Sequence, residues 1–558
     1  MGIVDIISLA LLHPQELRAL VTYKVWRDPL NDIKTNPDSG WERESMQRCW
    51  KLLDLTSRSF SAVIKELNGE LSRVICLFYL PLRGLDTIED DMTIDPQRKI
   101  SLLRDFYKRL EQPGWTFTES GPNEKDRQLL IEFDTVIEEF NKLGAGYKTV
   151  ISDITAKMGA GMASYIEASA KEPLKVDRWQ DYDLYCHFVA GIVGEGLSRL
   201  FAESGIERPW LGDQLTLSNH MGLFLQKTNI IRDYAEDCAE GRFFWPRECW
   251  AQPGADFNSQ AEVAQKGIIE TSPGSGKFKA AQGPEGKRAM FVLNSMLLDA
   301  IRHATRALDY LSLLRDQSVF NFCAIPQVMA IATLNLMLNN PNVLKRNVKI
   351  RKSQAVQLII RAVNPRDVSY QFLTFAREMR AKLDPSDPNF LKWSVELGKI
   401  EVWCETYYPS FISPGSEVRE GDVRQAALTK YTNQRHSTAK AKAMALGLLQ
   451  APKTGGELDP RRAGMTQTER EEEEKREQKE MVKFFVIIMV FICLVMGVVA
   501  LASWIIAWYI FQEGQDPFTL WIGRKYTEFM AGQASAVAQE PSLLSWQGLQ
   551  SLRKKIEL

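Results

Sequence analysis

The chain has 558 residues, enough for one large domain or two ordinary ones, and carries 69 basic residues against 70 acidic ones. That balance, with no mixed run of aromatics and lysines, argues against a nucleic-acid binder. Eight scattered cysteines without a C-x-x-C pair, and five histidines with none at metal spacing, argue against a disulfide framework, a zinc site and a histidine-based triad.

Residues 1–40 form an N-terminal segment. Its first twelve residues are apolar but include Asp5 and lack a basic start and a small-residue cleavage site, so they do not read as a secretory signal. Ile6 stands where a myristoylation signal wants Ser or Thr. The expectation is a short helix docked on the domain or lying at a membrane surface.

From 41 to 447 the pattern is helical nearly throughout. Phe60, Val63, Ile64 and Leu67 show the i, i+3, i+4, i+7 spacing of a half-buried helix, and strand alternation is scarce. The fold class expected is all-α, a single large bundle of roughly a dozen helices with a polar site inside it. Within it lies Arg83-Gly-Leu-Asp86-Thr-Ile-Glu89-Asp90-Asp91. Pro81, just before, should start or kink that helix. A second copy of the arrangement follows at Gln226-Lys-Thr-Asn229-Ile-Ile-Arg232-Asp233-Tyr-Ala-Glu236-Asp237. At helical period Gln226, Asn229, Asp233 and Asp237 share one face, and Leu223, Phe224, Ile230, Ile231 and Tyr234 cover much of the rest.

Residues 251–287, rich in Gly, Pro, Ser, Ala and Gln, interrupt the helical pattern and read as a mobile surface insertion. Its Gly274-Ser-Gly276-Lys277 fails as a phosphate loop, because Thr271 replaces the first glycine and Phe278 follows the lysine. Further on, Lys345, Arg346, Lys349, Arg351 and Lys352 place five positive charges in eight residues.

Residues 448–483 form a polar and then charged linker. Residues 484–511 run without a charge for about 28 positions, where roughly 20 suffice to span a bilayer. Trp504, Trp508 and Tyr509 sit toward its C-terminal end. Arg470, Lys475, Arg476, Lys479 and Lys483 flank its start, and no basic residue follows before Arg524. The positive-inside rule then puts the large domain in the cytosol and the 512–558 tail across the membrane.

Two acidic helix faces in apolar surroundings need compensating charge. Mg²⁺ suits them, since it takes oxygen ligands, keeps waters and bridges carboxylates to phosphate oxygens. Metal on a diphosphate makes ionisation to a carbocation feasible, and Arg83 and Arg232 beside the motifs add guanidinium contacts to phosphate. This logic predicts a prenyl-diphosphate enzyme with an apolar, dry pocket. It leaves open a scaffold whose acidic faces only make salt bridges.

Four long motifs carry a resemblance. Tyr79-Leu-Pro-Leu-Arg83-Gly-Leu-Asp86-Thr-Ile-Glu89-Asp90-Asp91, Tyr185-Cys-His-Phe-Val-Ala-Gly191-Ile-Val-Gly194, Gly222-Leu-Phe-Leu-Gln226-Lys-Thr-Asn229-Ile-Ile-Arg232-Asp233 and Ser318-Val-Phe320-Asn-Phe322-Cys-Ala-Ile-Pro326-Gln occur in that order. Together they resemble the squalene synthase (farnesyl-diphosphate farnesyltransferase) family, and the 251–287 insertion with the charged linker before the uncharged stretch looks like its fungal form. The resemblance implies an isoprenoid-synthase bundle with a central pocket, acting in the endoplasmic reticulum membrane at the committed step of sterol biosynthesis. It implies that two farnesyl diphosphates couple head to head to presqualene diphosphate, which NADPH then reduces to squalene. It assigns Asp86, Glu89, Asp90, Asp233, Glu236 and Asp237 to Mg²⁺, and Tyr185 to proton transfer in the coupling. Phe320 and Phe322 are assigned to cation stabilisation, and Gln226 and Asn229 to the pocket near the reacting carbons. Arg83, Arg232 and Arg242 match diphosphate contacts, and Arg58, Ser59 and Tyr79 the substrate entrance. Lys349 and Arg351 match the NADPH phosphate contact, although a basic turn facing anionic lipid is an alternative for that cluster. A monomeric catalytic domain is expected. A non-reducing phytoene or dehydrosqualene type synthase would share both acidic motifs but not need the basic cluster.

Overall fold

In the computed structural model the described residues are 3–25, 31–57, 60–171, 176–252, 254–272 and 274–409. They lie within one compact unit, Met1–Lys430. The charged linker, the uncharged stretch 484–511 and the tail lie outside them. Among the described residues one helix, Gln317–Met337, is long and apolar enough to cross a membrane, but 72% of its most apolar window is buried within the protein. It is a core helix.

Twenty-one α-helices make up the described fold, more than the dozen expected. The excess comes from short elements where caps and turns interrupt a periodic pattern. Phe60–Lys65 is one, and Tyr234–Ala239 another. At the centre runs helix Leu215–Arg232, which packs against helices Ile192–Glu203, Pro284–Ile301, Ala304–Leu313 and Gln317–Met337. Its close neighbour is a π-helical turn, His187–Gly191, which links helix Trp179–Cys186 to Ile192–Glu203.

Glycines set how near these elements come. A Cβ on Gly222 would stand 2.3 Å from the Ala190 carbonyl oxygen and 2.9 Å from the Gly191 nitrogen, and one on Gly194 would stand 2.3 Å from the Ser218 oxygen. Both obstacles are backbone, which cannot swing aside. Gly222→Ala is therefore expected to destabilise the protein by about 1–3 kcal/mol, the usual cost of overpacking a core. Chemical denaturation measures it, and a midpoint equal to the parent's would show that the helices separate at no cost.

Helix Leu71–Asp90 excludes a start at Pro81, one of the two alternatives expected there. It begins well before Pro81 and continues through it. Proline inside a helix costs ~3 kcal/mol. Leu71, Val74, Ile75, Leu77 and Phe78, all at most 2% exposed, offset it, since each buried side chain of this kind contributes roughly 1.5–3 kcal/mol.

The insertion has internal structure that its composition does not announce. It contains helix Gln260–Gly267 and an antiparallel hairpin, Ile268–Glu270 with Phe278–Ala280, paired Ile268 to Ala280 and Glu270 to Phe278. Gln260 is buried and fixes it: its carbonyl accepts from the Tyr234 hydroxyl and its Oε1 from the Trp245 amide at 2.9 Å. The Gly274 and Gly276 amides donate to the Glu270 carboxylate at 3.1 and 2.7 Å. The amides of the failed phosphate loop thus serve a side chain of the same hairpin. The seven described cysteines are free thiols.

The N-terminal segment forms two helices, Ile3–Leu12 and Pro14–Val25, and the second packs on helix Lys352–Arg361.

Candidate active site

Two adjoining cavities open along the central helix. One, of about 250 Å³, is walled by Phe78, Tyr79 and Leu82, by Val189 and Val193, and by Phe322. Its polar groups include Gln226 and Asn229. The other, of about 470 Å³, is walled by Val63, Met329, Ala355 and Ile359, with Arg232 and Lys352 among its lining. Phe60, Leu225, Asn229 and Pro326 belong to both. Together they fall in the roughly 300–1,000 Å³ range of small-molecule sites. The apolar walls match the apolar pocket expected from the sequence. Phe322 lines it, edge-on to Phe201 at 6.0 Å. Phe320 is buried and belongs to the lining of neither cavity.

The acidic residues sit one helical turn beyond this lining. Asp86 follows Leu82, and Asp233 follows Asn229, each by four residues. The second motif is not one helix, however. Leu215–Arg232 ends at Asp233 (φ −93°, ψ 7°), which also caps Tyr234–Ala239. The i to i+4 bonds persist across the break, Asp233 N to the Asn229 oxygen at 2.9 Å and Asp237 N to the Asp233 oxygen at 3.0 Å, so the expected face survives the interruption.

One arginine spans the two motifs. Arg242 donates through Nη1 to Asp90 at 2.7 Å and through Nη2 to Asp237 at 2.8 Å. Arg232 forks onto Asp233, Nε to Oδ1 at 2.9 Å and Nη2 to Oδ2 at 2.6 Å. Arg83 is shared between Asp126, at 2.8 Å from Nε, and Asp86, at 3.5 Å. Two partners were missed in the sequence. Asp126 stands in a loop with no periodic signal, and Asn347, which donates to Asp233, was visible only as a gap in the basic cluster. Asp91, within the quoted motif, turns away and accepts from Thr93 and from the Gly121 amide.

Burial dominates the electrostatics. It pushes Asp86 up to about 7, against the opposing pull of Arg83 and helped by Asp90. Glu89 is raised to about 8 by burial and by Asp86 and Asp90. Asp237 is raised to about 6 by burial, with Arg242 opposing. Asp86 still keeps 33% of its side-chain surface open, so it is deep yet accessible. Glu236 is exposed. Among the described residues no three His, Cys, Asp or Glu side chains converge closely enough to cage an ion unaided. These carboxylates line neither cavity, but carboxylates that resist ionisation beside an apolar cavity suit a divalent cation that also takes oxygens from a substrate.

The sign of the pH dependence follows. A carboxylate whose folded pKa is raised takes up a proton on folding. Its stability contribution is full below about pH 4 and disappears as pH climbs through the folded values of about 6 to 8. Thermal stability without metal is expected to fall between pH 5 and 8, and added Mg²⁺ with a diphosphate to recover it at the upper end. A melting temperature flat across that range would contradict these assignments.

Tyr185 is 7% exposed on helix Trp179–Cys186. Its ring stacks on Phe244 at 5.0 Å and meets Tyr165 edge-on at 5.2 Å. Burial, then Glu89, holds its hydroxyl well above the ordinary phenol value. That helix is anchored to the central one by Lys227, a fully buried ammonium neutralised by Asp183 and Asp299. Tyr79 lines the first cavity and donates to the Thr56 carbonyl at 3.3 Å. Arg58 and Ser59 lie outside the described residues.

In the basic cluster the two residues matched to the cofactor phosphate differ in their surroundings. Lys349 is exposed. Arg351 donates to Glu16 of the N-terminal helix, Nε at 3.2 Å and Nη2 at 2.5 Å, with 51% of its side chain still exposed.

The squalene/phytoene synthase family model matches residues 53–354. A squalene synthase of Mycosarcoma maydis is 64% identical over 539 residues, 94% of this chain and 93% of the relative. One from Schizosaccharomyces pombe is 47% identical over 424 residues, 74% of this chain and 87% of the relative. The solved complex of TcSQS with the ligand E5700 is 36% identical, covers 65% of this chain and 98% of that one, and aligns with a TM-score of 0.58. With both acidic motifs, the double cavity and the helical isoprenoid-synthase architecture in place, the chain belongs to the squalene/phytoene synthase family, as a squalene synthase of the fungal type.

Proposed function

We propose that this chain joins two farnesyl diphosphates head to head to presqualene diphosphate and reduces that intermediate to squalene, with Mg²⁺ and NADPH as its cofactors. The observation that carries the reading is the pair of apolar cavities sharing Asn229, with Asp86 and Asp233 one helical turn along from Leu82 and Asn229 and Arg242 bonded to both acidic segments. Two prenyl chains need two adjoining grooves. Two diphosphates need positive charge and carboxylates to hold it.

Mg²⁺, when bound, neutralises the diphosphate leaving group. NADPH supplies hydride for the second step. Asp86, Glu89 and Asp90 on one side, with Asp233, Glu236 and Asp237 on the other, hold the metal-diphosphate groups. Arg83, Arg232 and Arg242 contact phosphate oxygens once their carboxylate partners are engaged by cations. The apolar walls exclude water, which would quench a carbocation, and the Phe322 ring face attracts positive charge. Tyr185 holds its proton at rest, because burial first, and then the neighbouring acidic side chains, disfavour a phenolate. Neutralising those side chains removes the secondary part of that barrier and leaves the part due to burial. Lys349 and Arg351 contact the NADPH phosphate. Arg58, Ser59 and Tyr79 form the substrate entrance.

The stretch 484–511 anchors the protein in the endoplasmic reticulum membrane, with a monomeric catalytic domain facing the cytosol. Its uniform lack of charge supports the span and the basic residues before it the orientation, while the organelle and the monomeric state are carried over from the family resemblance.

Product analysis tests the function. The full chain with labelled farnesyl diphosphate and Mg²⁺ should accumulate presqualene diphosphate without NADPH and squalene with it. The same hydrocarbon in both reactions would replace this reading with a non-reducing synthase.

A further inference from the structure

Glu16 is a carboxylate far from the acidic motifs in sequence, yet it is buried, 7% exposed, in the helix Pro14–Val25. Three donors converge on it. Arg351 forks onto both its oxygens, and the Ser353 hydroxyl donates to Oε2 at 2.7 Å. These partners hold its pKa below the ordinary carboxylate value although burial opposes them. Arg351 is also the residue before helix Lys352–Arg361. The bond therefore ties the N-terminal helix to the end of the basic segment 345–352. The other half of that segment is tied by Asn347 to Asp233.

The Glu16 fork uses only the Nε and Nη2 edge of the guanidinium. The Nη1 side makes no hydrogen bond among the described residues, and half of the side chain is exposed. A guanidinium held on one edge by a buried carboxylate has its planar fork pre-oriented on the other, which suits a doubly charged phosphate oxygen group. Both helices also wall the larger cavity, through Tyr23 on one side and Lys352, Ala355, Val356 and Ile359 on the other. The fastening therefore stands where the cofactor segment meets the substrate space.

We propose that Glu16 is a positioning residue for the reductive step: it fixes Arg351 so that its outer edge meets the phosphate of the nicotinamide cofactor. This rests on the reading of Arg351 as a cofactor contact. It makes the N-terminal helix part of the second half-reaction, while the first proceeds without it.

The test uses the full chain in detergent, with NADP⁺ titrated by calorimetry and, separately, presqualene diphosphate formation followed without any reductant. Glu16→Ala is expected to weaken NADP⁺ binding about tenfold, the size of a lost charge-assisted hydrogen bond, and to leave presqualene diphosphate formation within about twofold. Glu16→Gln, which keeps an acceptor for Arg351 and Ser353, should fall between. Unchanged NADP⁺ binding in Glu16→Ala beside weakened binding in Arg351→Ala would overturn the positioning role and leave the cofactor contact standing. Unchanged binding in both would remove the cofactor contact itself and the inference with it. Equal loss of binding and of presqualene diphosphate formation in Glu16→Ala would reduce Glu16 to a packing role and overturn the proposal.

Discussion

Replacing Asp86 by asparagine should cut turnover of farnesyl diphosphate by about 10²–10⁴-fold, a range typical of removing one preorganised electrostatic group, while leaving the fold intact. Asparagine has the same shape and keeps an acceptor oxygen for Arg83. It cannot carry the negative charge that a divalent cation requires. Asp86 is held near neutrality, with its pKa at about 7, so the native protein maintains a desolvated carboxylate at a stability cost. Removing that charge should raise the melting temperature of the metal-free protein at pH 8 while abolishing activity. Opposite movement of stability and turnover is the signature of a site kept for chemistry. Asp233→Asn should lose activity to a similar degree without the gain in stability, because it also breaks the two-pronged contact with Arg232 and weakens the one with Asn347. Steady-state assays and thermal melts on the same preparations measure both. Unchanged turnover in either variant would reduce the motifs to salt-bridging surfaces.

Tyr185→Phe should slow formation of presqualene diphosphate by about 10²–10⁴-fold, the usual contribution of a positioned proton-transfer group. Phenylalanine preserves the stack on Phe244 and the edge contact with Tyr165, so packing changes little and the loss reports on the hydroxyl. The readout is single-turnover formation of the first intermediate without reductant. A variant that makes presqualene diphosphate at the parent's rate would transfer the proton role to another group.

The helical fold and the chemistry of the site were legible for one reason: both are written at helical period. Asp86 and Asp90, or Asn229 and Asp233, are neighbours on a helix face whatever the rest of the chain does. Contacts between distant segments were not legible. Nothing local marks Asp126 as the partner of Arg83, or Asn347 as the partner of Asp233. Glu16 sits 335 residues from Arg351, and only folding brings the two together. Composition at the insertion, rich in glycine and serine, carries no sign of the helix and hairpin there or of the bonds from buried Gln260 to Tyr234 and Trp245. Propensity left a start at Pro81 open, and burial of the surrounding helix, which outweighs the cost of a lost backbone bond, carries the helix through it. Phe320 and Phe322 were indistinguishable as an aromatic pair. Their helical offset sends only one of them to the cavity.

The central claim is that the two acidic segments hold diphosphate and metal together at the mouth of the paired cavities. A crystal structure of the protein with Mg²⁺ and a non-hydrolysable farnesyl diphosphate analogue tests it most directly. The predicted result is a diphosphate bridged by metal to Asp86 or Asp90 and to Asp233 or Asp237. The prenyl chain should lie past Asn229, and Arg242 should have exchanged a carboxylate for phosphate oxygens. A diphosphate bound at Lys349 and Arg351, or one bound at the acidic segments without metal, would contradict it.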